Sequence, residues 1–478
     1  MGNTFPENNY NMDGNAIPVL FSFIVYRRER VGGFLFNPYL FKEIPINNIE
    51  LRILDHCNGH FSVNEIKDII LKEFSLPNNL AQKYVAEAFM VFKRSRAINF
   101  KNEKRSTQEF PVSSNYSLHS SYSSASSNYL PENNILSAPL SVLWEITNEC
   151  NLSCKHCLIN AGKQEQNEMS LEEVKKIIDE LAELKVFNIT FGGGEPLLRN
   201  DFLDIVDYAS RFNFGIKLST NGVLVDDALL DRLKETNVFS VQVSVDGLEQ
   251  THNAFRGSKK SFEKAVSALK SFSNAGYWTI MSTAITKYNV NEIEQLVELA
   301  IECGASSFKA SPFIPVGKGK ENIKDLAITP FEIKNLANKI MQTKDKYEKR
   351  IDLQLDGIFP WLIESCFENR RNAVAGASQV GCSAGTSNLV ITPTGNVIPC
   401  PFFIDLIAGN IRKTSLQDIW YNSDIFDIFR NLDNDRLEGK CSNCEYIPQY
   451  CQGGCRAAAF ALSGNLLAQD PYCFKSMT

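Results

Sequence analysis

Histidine is scarce in this chain. Only five occur in 478 residues: His56, His60, His119, His156 and His252. Acid–base or metal chemistry built on imidazole therefore has few candidates. Long apolar runs are also missing, and none approaches the roughly 18 residues that a membrane helix needs. The opening Met1-Gly2-Asn3-Thr4-Phe5-Pro6 is polar and has no apolar signal core. It carries neither Ser nor Thr at position 6, which argues against myristoylation. The expectation is a cytoplasmic protein with no membrane partner. Basic charge is not in excess: 49 Lys and Arg against 55 Asp and Glu leave a net −6. A general nucleic-acid surface is thereby excluded. What remains is an ordinary globular composition, 44% hydrophobic and 22% charged, with a length that predicts roughly two to four domains.

Cysteine, by contrast, is plentiful, with 13 in the chain. Without a secretory signal these read as reduced thiols used as ligands. Cys150, Cys154 and Cys157 fall within eight residues, spaced C-x3-C-x2-C, just after the largely apolar run Val142–Thr147. Thiolates at this density suit zinc or iron–sulfur clusters. A four-iron cluster normally takes four thiolates. No fourth cysteine lies nearby, so one iron would stay open. On spacing alone, a zinc loop with a distant fourth ligand is the alternative. Some distance downstream, Gly192-Gly193-Gly194-Glu195-Pro196 closes the run Asn188–Phe191. Glycines let backbone carbonyls approach closely, and a carboxylate suits an ammonium.

In order and spacing the two motifs resemble the radical S-adenosylmethionine (SAM) enzymes. The resemblance implies that Cys150, Cys154 and Cys157 hold a 4Fe–4S cluster whose open iron is chelated by SAM. It also implies that Gly193, Gly194 and Glu195 hold the SAM amino group. His156, inside the loop, is expected to pack there.

A βα alternation begins near Ser141. Strands are predicted at 142–147, 188–191, 215–219, 239–245, 277–285 and 306–312. Helices are predicted between them over Ser170–Leu184, Asp201–Phe212, Asp226–Lys234, Ser261–Ala275 and Asn291–Cys303. This is α/β, with a parallel sheet covered by helices, and a partial (β/α)6 barrel fits the resemblance. Functional residues should gather at the C-terminal strand ends. Ser219-Thr220-Asn221-Gly222, Ser244-Val245-Asp246-Gly247 and Phe255-Arg256-Gly257 fall there. The resemblance places Ser219 and Ser244 at the SAM ribose and Arg256 at its carboxylate.

Before the core, residues 17–100 combine short strands with helices predicted near Ile46–Cys57, Val63–Phe74 and Asn79–Arg96. Ser62 and Glu65 form a capping box for the second. This winged-helix-like α+β pattern resembles the PqqD-like recognition element of peptide-modifying enzymes. The resemblance implies a leader peptide added as an extra β-strand, with Arg27, Arg28 and Arg30 favouring an acidic leader. The plain alternative is a solvated charged turn. DNA binding is disfavoured by the charge. Residues 101–138 are a Ser- and Asn-rich linker, 139–325 the core, and 326–380 a charged, helical bridge.

The region 381–478 carries Cys382, Cys400, Cys441, Cys444, Cys451, Cys455 and Cys473, seven thiols in 92 residues. That exceeds the four of a zinc ribbon. The pattern resembles the SPASM domain, with one spacing, Cys444 to Cys451, a residue longer than usual. The resemblance assigns Cys382, Cys400 and Cys455 to auxiliary cluster I, and Cys441, Cys444, Cys451 and Cys473 to auxiliary cluster II. Cys366, or substrate, would complete cluster I. Cys57 and Cys303 are expected to be buried and inert.

Taken together, the resemblance implies a maturase of a ribosomally made precursor peptide, served by a flavodoxin- or ferredoxin-type electron donor. A Cys thioether crosslink is the leading expectation. Mycofactocin-type decarboxylation and carbon–carbon crosslinking of the pyrroloquinoline quinone type are alternatives. The sulfatase-maturing branch fits poorly, because Pro401, not Asp, follows Cys400. A zinc-loaded binding protein is the non-enzymatic reading. The residues do not name a catalytic acid or base.

Overall fold

The structure is a computed structural model that describes residues 13–101, 135–347, 349–355, 381–447 and 451–473. The chain divides into two compact units, 1–109 and 110–478.

In the first unit, β1 (Pro18–Leu20) pairs antiparallel with β5 (Ile98–Phe100). Strands β2 (Val25–Arg28), β3 (Gly33–Asn37) and β4 (Lys42–Ile46) form a separate antiparallel sheet in that order. Three helices follow: α1 (Asn48–Asp55), α2 (Val63–Glu73) and α3 (Asn78–Arg94). The second helix starts where the Ser62/Glu65 capping box places it. The first starts later than predicted. Ile46 is the last residue of β4, paired with Gly33, and Asn47 caps α1 in a box with Glu50. Leu35, Ile46, Leu51, Ile53, Ile66, Ile70, Phe89 and Phe92 make the core. Cys57 lies in it and donates to the Ile53 carbonyl at 3.3 Å.

The three arginines of the turn are not alike. Arg27 is buried against Glu29, with Nε 2.8 Å from Oε1. Arg28 pairs with Asp55. Only Arg30 of the three stands exposed with no recorded ion pair. The alternation of β2 explains this, since it turns successive side chains to opposite faces.

The second unit is built on one sheet. Strands β6 (Ser141–Thr147), β7 (Asn188–Gly193), β8 (Gly215–Thr220), β9 (Val238–Ser244), β10 (Trp278–Ile285) and β11 (Ser307–Pro312) run parallel in consecutive order. Helices α4 (Leu171–Glu183), α5 (Phe202–Ala209) and α6 (Asp227–Leu233) connect the first of them. Between β9 and β10 lie α7 (Glu249–Arg256) and α8 (Ser261–Asn274), and α9 (Ile293–Glu302) leads to β11. One face of β6 packs Val142, Trp144 and Ile146, and Trp144 lies 6.1 Å from Phe191 between ring centroids. Helix α4 opens on a Ser170/Glu173 capping box and buries Val174, Ile177, Ile178 and Leu181.

The sheet is wider than the six predicted strands. β12 (Asp352–Leu355), inside the stretch read as a helical bridge, adds parallel to β11. At the other end β13 (Asn388–Ile391) adds parallel to β6. The hairpin strands β14 (Asn396–Ile398) and β15 (Gly409–Asn410) continue antiparallel from β13. Four-residue strands are too short to announce themselves by pattern. Helix Pro330–Tyr347 does fall in the bridge, whereas Trp361 and Cys366 lie outside the described residues. Among those residues no helix is long and apolar enough to cross a membrane.

Candidate functional site

The loop after β6 carries Cys150, Cys154 and Cys157, and three other segments hold its backbone. Cys150 N–H donates to the Gly162 carbonyl at 2.9 Å, and Gly162 N–H to Asn148 at 2.9 Å. From the end of α7, the Phe255 carbonyl accepts from Lys155 N–H at 3.1 Å. Beyond β11, Lys318 donates its N–H to the Cys157 carbonyl at 2.9 Å and its Nζ to Ser153 Oγ at 3.0 Å. The main chain is thus fixed by the protein itself. Cys150 senses both Cys154 and Cys157 electrostatically. Burial pushes Cys150 up to about 11 and raises Cys154 as well. A soft cation is what stabilises the thiolate form of Cys150 and Cys154 against that burial.

The glycine turn closes directly on this loop. Gly193 has φ +124°, and a Cβ there would stand 2.4 Å from the Thr147 carbonyl. At Gly194 an added Cβ would stand 2.1 Å from the Glu149 carbonyl. Gly194 N–H donates to Thr147 at 2.8 Å and Glu195 N–H to Glu149 at 2.7 Å. Only glycine fits so close an approach.

Glu195 does not point its carboxylate outward. It is fully buried, and its oxygens accept from Thr220 Oγ1 at 2.8 Å, Asn221 N–H at 2.8 Å and Leu197 N–H at 3.2 Å. Burial pushes it up to about 7 against those bonds. The residue expected beside an ammonium is therefore a strut between the turn and the end of β8. Asn221 extends the strut by donating to Asn151 Oδ1 in the cysteine loop at 2.7 Å.

At the end of β9 stands a buried hub that the sequence did not single out. Asp246 accepts from Arg256 Nε at 2.7 Å and Nη2 at 2.5 Å, and from Ala284 N–H at 2.8 Å. Burial alone would raise its carboxyl. Arg256, His156 and His252 outweigh that and hold it at about 2. The Arg256 charge also acts on Cys154. The guanidinium expected at a SAM carboxylate thus joins the hub to a cysteine of the loop. His156 stacks on Phe255, with centroids 4.3 Å apart, and sits 3.5 Å from Asp246 Oδ2. His252 accepts the Asp246 N–H at 3.1 Å. The available signal was Asp246-Gly247, which reads as a turn. Helix α7, which delivers His252 and Arg256, is only eight residues long and was not predicted.

Ser219 and Ser244 lie on β8 and β9 near the same edge, both part-exposed. Ser219 Oγ accepts from Gln242 Nε2 at 3.4 Å.

The C-terminal thiols fall into two groups. Cys400 interacts electrostatically with Cys382 and Cys455. Cys451 interacts with Cys441 and Cys473, and Cys441 with Cys444. Burial raises Cys400, and it pushes Cys451 up to about 12 and Cys455 up to about 11. Arg456 is fully buried and donates to the carbonyls of Leu466 at 2.8 Å, Ala468 at 2.7 Å and Gly453. Its charge acts on Cys382 in one group and Cys441 in the other. Asp470 is buried beside it and accepts from Cys455 N–H at 2.6 Å. Among the described residues no side-chain group already converges as ligands on one point. The fit is therefore one of donor type and neighbourhood. Cys303 is buried at the end of α9.

Residues 144–300 match the Radical SAM superfamily, and residues 382–445 match the SPASM iron–sulfur cluster-binding domain. Mycofactocin maturase MftC of Mycolicibacterium smegmatis is 35% identical over 343 residues, covering 71% of this chain and 83% of that protein. The chain is a radical SAM enzyme. Radical SAM domains bind SAM and a 4Fe–4S cluster, and the SPASM domain binds auxiliary iron–sulfur clusters. The AdoMet-dependent heme synthase of Methanosarcina barkeri is 31% identical over 352 residues, covering 70% of this chain and 96% of that one. Among solved structures, Streptococcus suis SuiB bound to precursor peptide SuiA shares the fold of this radical SAM chain. The TM-score is 0.70 at 19% identity, over 95% of this chain and 99% of SuiB.

Proposed function

We propose that this radical SAM enzyme matures a ribosomally made peptide. One observation carries the reading. The relatives named for a peptide cofactor and those named for heme both match about 70% of the chain, so they do not separate peptide from tetrapyrrole. SuiB, whose structure holds a precursor peptide, resembles 95% of the chain, a span that takes in the N-terminal unit. In that unit the sheet β2-β3-β4 ends in two edge strands. Such an edge takes an extended peptide by main-chain pairing. We assign residues 17–100 as a PqqD-like recognition element for the leader, 101–138 as linker, 139–325 as core, 326–380 as bridge and 381–478 as the auxiliary-cluster domain.

In this reading Cys150, Cys154 and Cys157 would hold the core cluster, and the turn Gly193-Gly194-Glu195 would receive the SAM amino group. When bound and reduced, the cluster and SAM together supply a 5′-deoxyadenosyl radical that removes a hydrogen atom from the precursor. The chain's own residues set the geometry. Glu195 fixes the turn against β8. Asp246 orients Arg256 toward Cys154 and the SAM carboxylate. Ser219 and Ser244 line the ribose position. Rigid placement of this kind is what the protein contributes to such chemistry. Cys382, Cys400 and Cys455 hold one auxiliary cluster. Cys441, Cys444, Cys451 and Cys473 hold the other. A flavodoxin- or ferredoxin-type protein delivers the electrons.

The product we favour is a Cys thioether, because the first auxiliary set has three thiols among the described residues. That leaves a position for Cys366 or for a substrate thiolate. The 35% identity to mycofactocin maturase favours a second reading, decarboxylation at a peptide C-terminus. Co-expression with the neighbouring small open reading frame, followed by mass spectrometry, tests both. Loss of two hydrogens per modification supports the crosslink, and loss of carbon dioxide supports the second reading. An unmodified peptide with a modified porphyrin would refute the peptide assignment.

A further inference from the structure

The sheet holds one acid that none of these contacts uses. On β6, Val142, Trp144 and Ile146 form one buried face, so Leu143, Glu145 and Thr147 stand on the other. An added Cβ at Gly192 would lie 3.7 Å from both Leu143 Cδ1 and Ser219 Cβ. Gly192 and Ser219 therefore share that second face, and Glu145 pairs with Gly192 in register. Glu145 is 5% exposed. Its carboxylate has no hydrogen bond or ion pair with any described residue. The charged group that acts on it is Glu165 of the cysteine loop, which is of like sign. Gly192, its neighbour across the strand pair, has no side chain to cover it.

A buried carboxyl without a partner costs stability where an apolar residue would add to it. Such groups persist where chemistry needs them. Crosslinking does need one. Joining a carbon to a thiol, or to a second carbon, breaks two bonds to hydrogen and makes one new bond. The first C–H bond loses a hydrogen atom to the adenosyl group of SAM. The second bond, S–H or C–H, loses a proton. An oxidised auxiliary iron–sulfur cluster, if held by the C-terminal thiols, would take the remaining electron. Proton, atom and electron then balance, provided a base stands on the substrate side of the sheet.

We propose that Glu145 is that base, in contact with the precursor residue whose second bond to hydrogen is broken. The inference rests on the maturase reading. Burial first, and then Glu165, push the carboxyl up to about 8, close to the range in which a group exchanges protons at working pH.

The test uses the full-length, cluster-loaded enzyme, a precursor deuterated at the crosslinked carbon, and the variants E145Q and E145D. With E145Q, crosslink formation should fall by a factor on the order of a hundred. Label should still reach 5′-deoxyadenosine, so the ratio of 5′-deoxyadenosine to crosslink rises. E145D should recover part of the product, with the acid limb of its pH profile displaced. A readout independent of turnover is infrared spectroscopy against pH: a carboxylic acid carbonyl band that gives way to the carboxylate as pH rises should be present in the wild type and missing in E145Q. Label transfer that falls in step with product would overturn the inference by placing Glu145 before hydrogen abstraction, and so would wild-type crosslinking by E145Q. The wild-type arm reads the maturase assignment separately. No mass loss in that arm overturns the assignment and the inference together. Mass loss there with E145Q unimpaired overturns the inference alone.

Discussion

The two cysteine regions are built on opposite plans. The core site collects three thiols within eight residues, and the fold then brings struts to that loop from β7, β8, β9 and α7. Its charged partner for a thiol, Arg256, is paired with a carboxylate, Asp246. The C-terminal region spreads seven thiols over 92 residues. Its buried cation, Arg456, bonds mainly to backbone carbonyls and acts on both thiol groups at once. In the first plan local sequence supplies the ligands and distant sequence supplies the scaffold. In the second, distant sequence must supply the ligands themselves. The core should therefore fail as a unit, and the C-terminal region should fail piecemeal.

Cysteine replacement tests this most severely. Changing Cys150, Cys154 and Cys157 together to Ala should abolish 5′-deoxyadenosine release and remove one cluster's worth of iron. Changing Cys441 alone should leave the core cluster spectrum and SAM cleavage in place while degrading one auxiliary signal. Electron paramagnetic resonance of the reduced proteins reads both. Release of 5′-deoxyadenosine by the triple variant would refute the core assignment.

Next in size is the hub. Asp246→Ala leaves Arg256 buried without its carboxylate, and breaking a buried pair from one side costs about 3–5 kcal/mol. Arg456→Met removes the bonds to the Leu466, Ala468 and Gly453 carbonyls, while the buried Asp470 keeps the backbone N–H groups of Cys455 and Tyr472. Its cost should be smaller, about 1–3 kcal/mol for lost bonds to carbonyls. Denaturant unfolding of the two variants gives the order, and a reversed order would remove the contrast between the regions. Gly194→Ala should cost about as much as Arg456→Met. Its Cβ would meet the Glu149 carbonyl, and backbone strain of that kind costs about 1–3 kcal/mol.

How much of this was legible follows from the range of each interaction. C-x3-C-x2-C and Gly-Gly-Gly-Glu-Pro are contiguous, and the strands that carry them are apolar, so both the family and its parallel sheet could be read. The capping boxes at Ser62 and Ser170 fixed helix starts for the same reason. Asp246, Glu145 and Arg456 could not be read, because what distinguishes them is burial, and burial is decided by residues tens of positions away. Glu145 sits in a run of apolar neighbours that hides it. The bonds of the Glu195 carboxylate could not be read on similar grounds: its partners Thr220 and Asn221 lie at the end of the next strand. The two added parallel strands, β12 and β13, were too short to carry a period, and their places in the sheet come from pairing alone.

The smallest effect concerns the join between the two plans. Arg412, in the turn after β15, donates to Glu173 of α4 at 2.8 and 3.1 Å and to the Asn167 carbonyl at 2.6 Å. The Arg412 bond first, and then the Ser170 N–H, hold the Glu173 carboxyl down at about 2, from an ordinary 4.5. A carboxyl depressed in the folded state stabilises above its unfolded value, and that contribution fades as pH falls from about 4.5 toward 2. Both side chains are substantially solvated, so screening limits the link to about 1 kcal/mol or less. Glu173→Gln should therefore lower the urea midpoint slightly near neutrality, and the difference from wild type should shrink near about pH 3. A constant gap across that window would mean that Glu173 acts through the Ser170 helix cap, whose bonds a glutamine partly keeps, and not through charge. Charge would then add nothing at this join, which β13 pairing and the Arg412 bond to the Asn167 carbonyl would still hold, and salt should leave its unfolding unchanged.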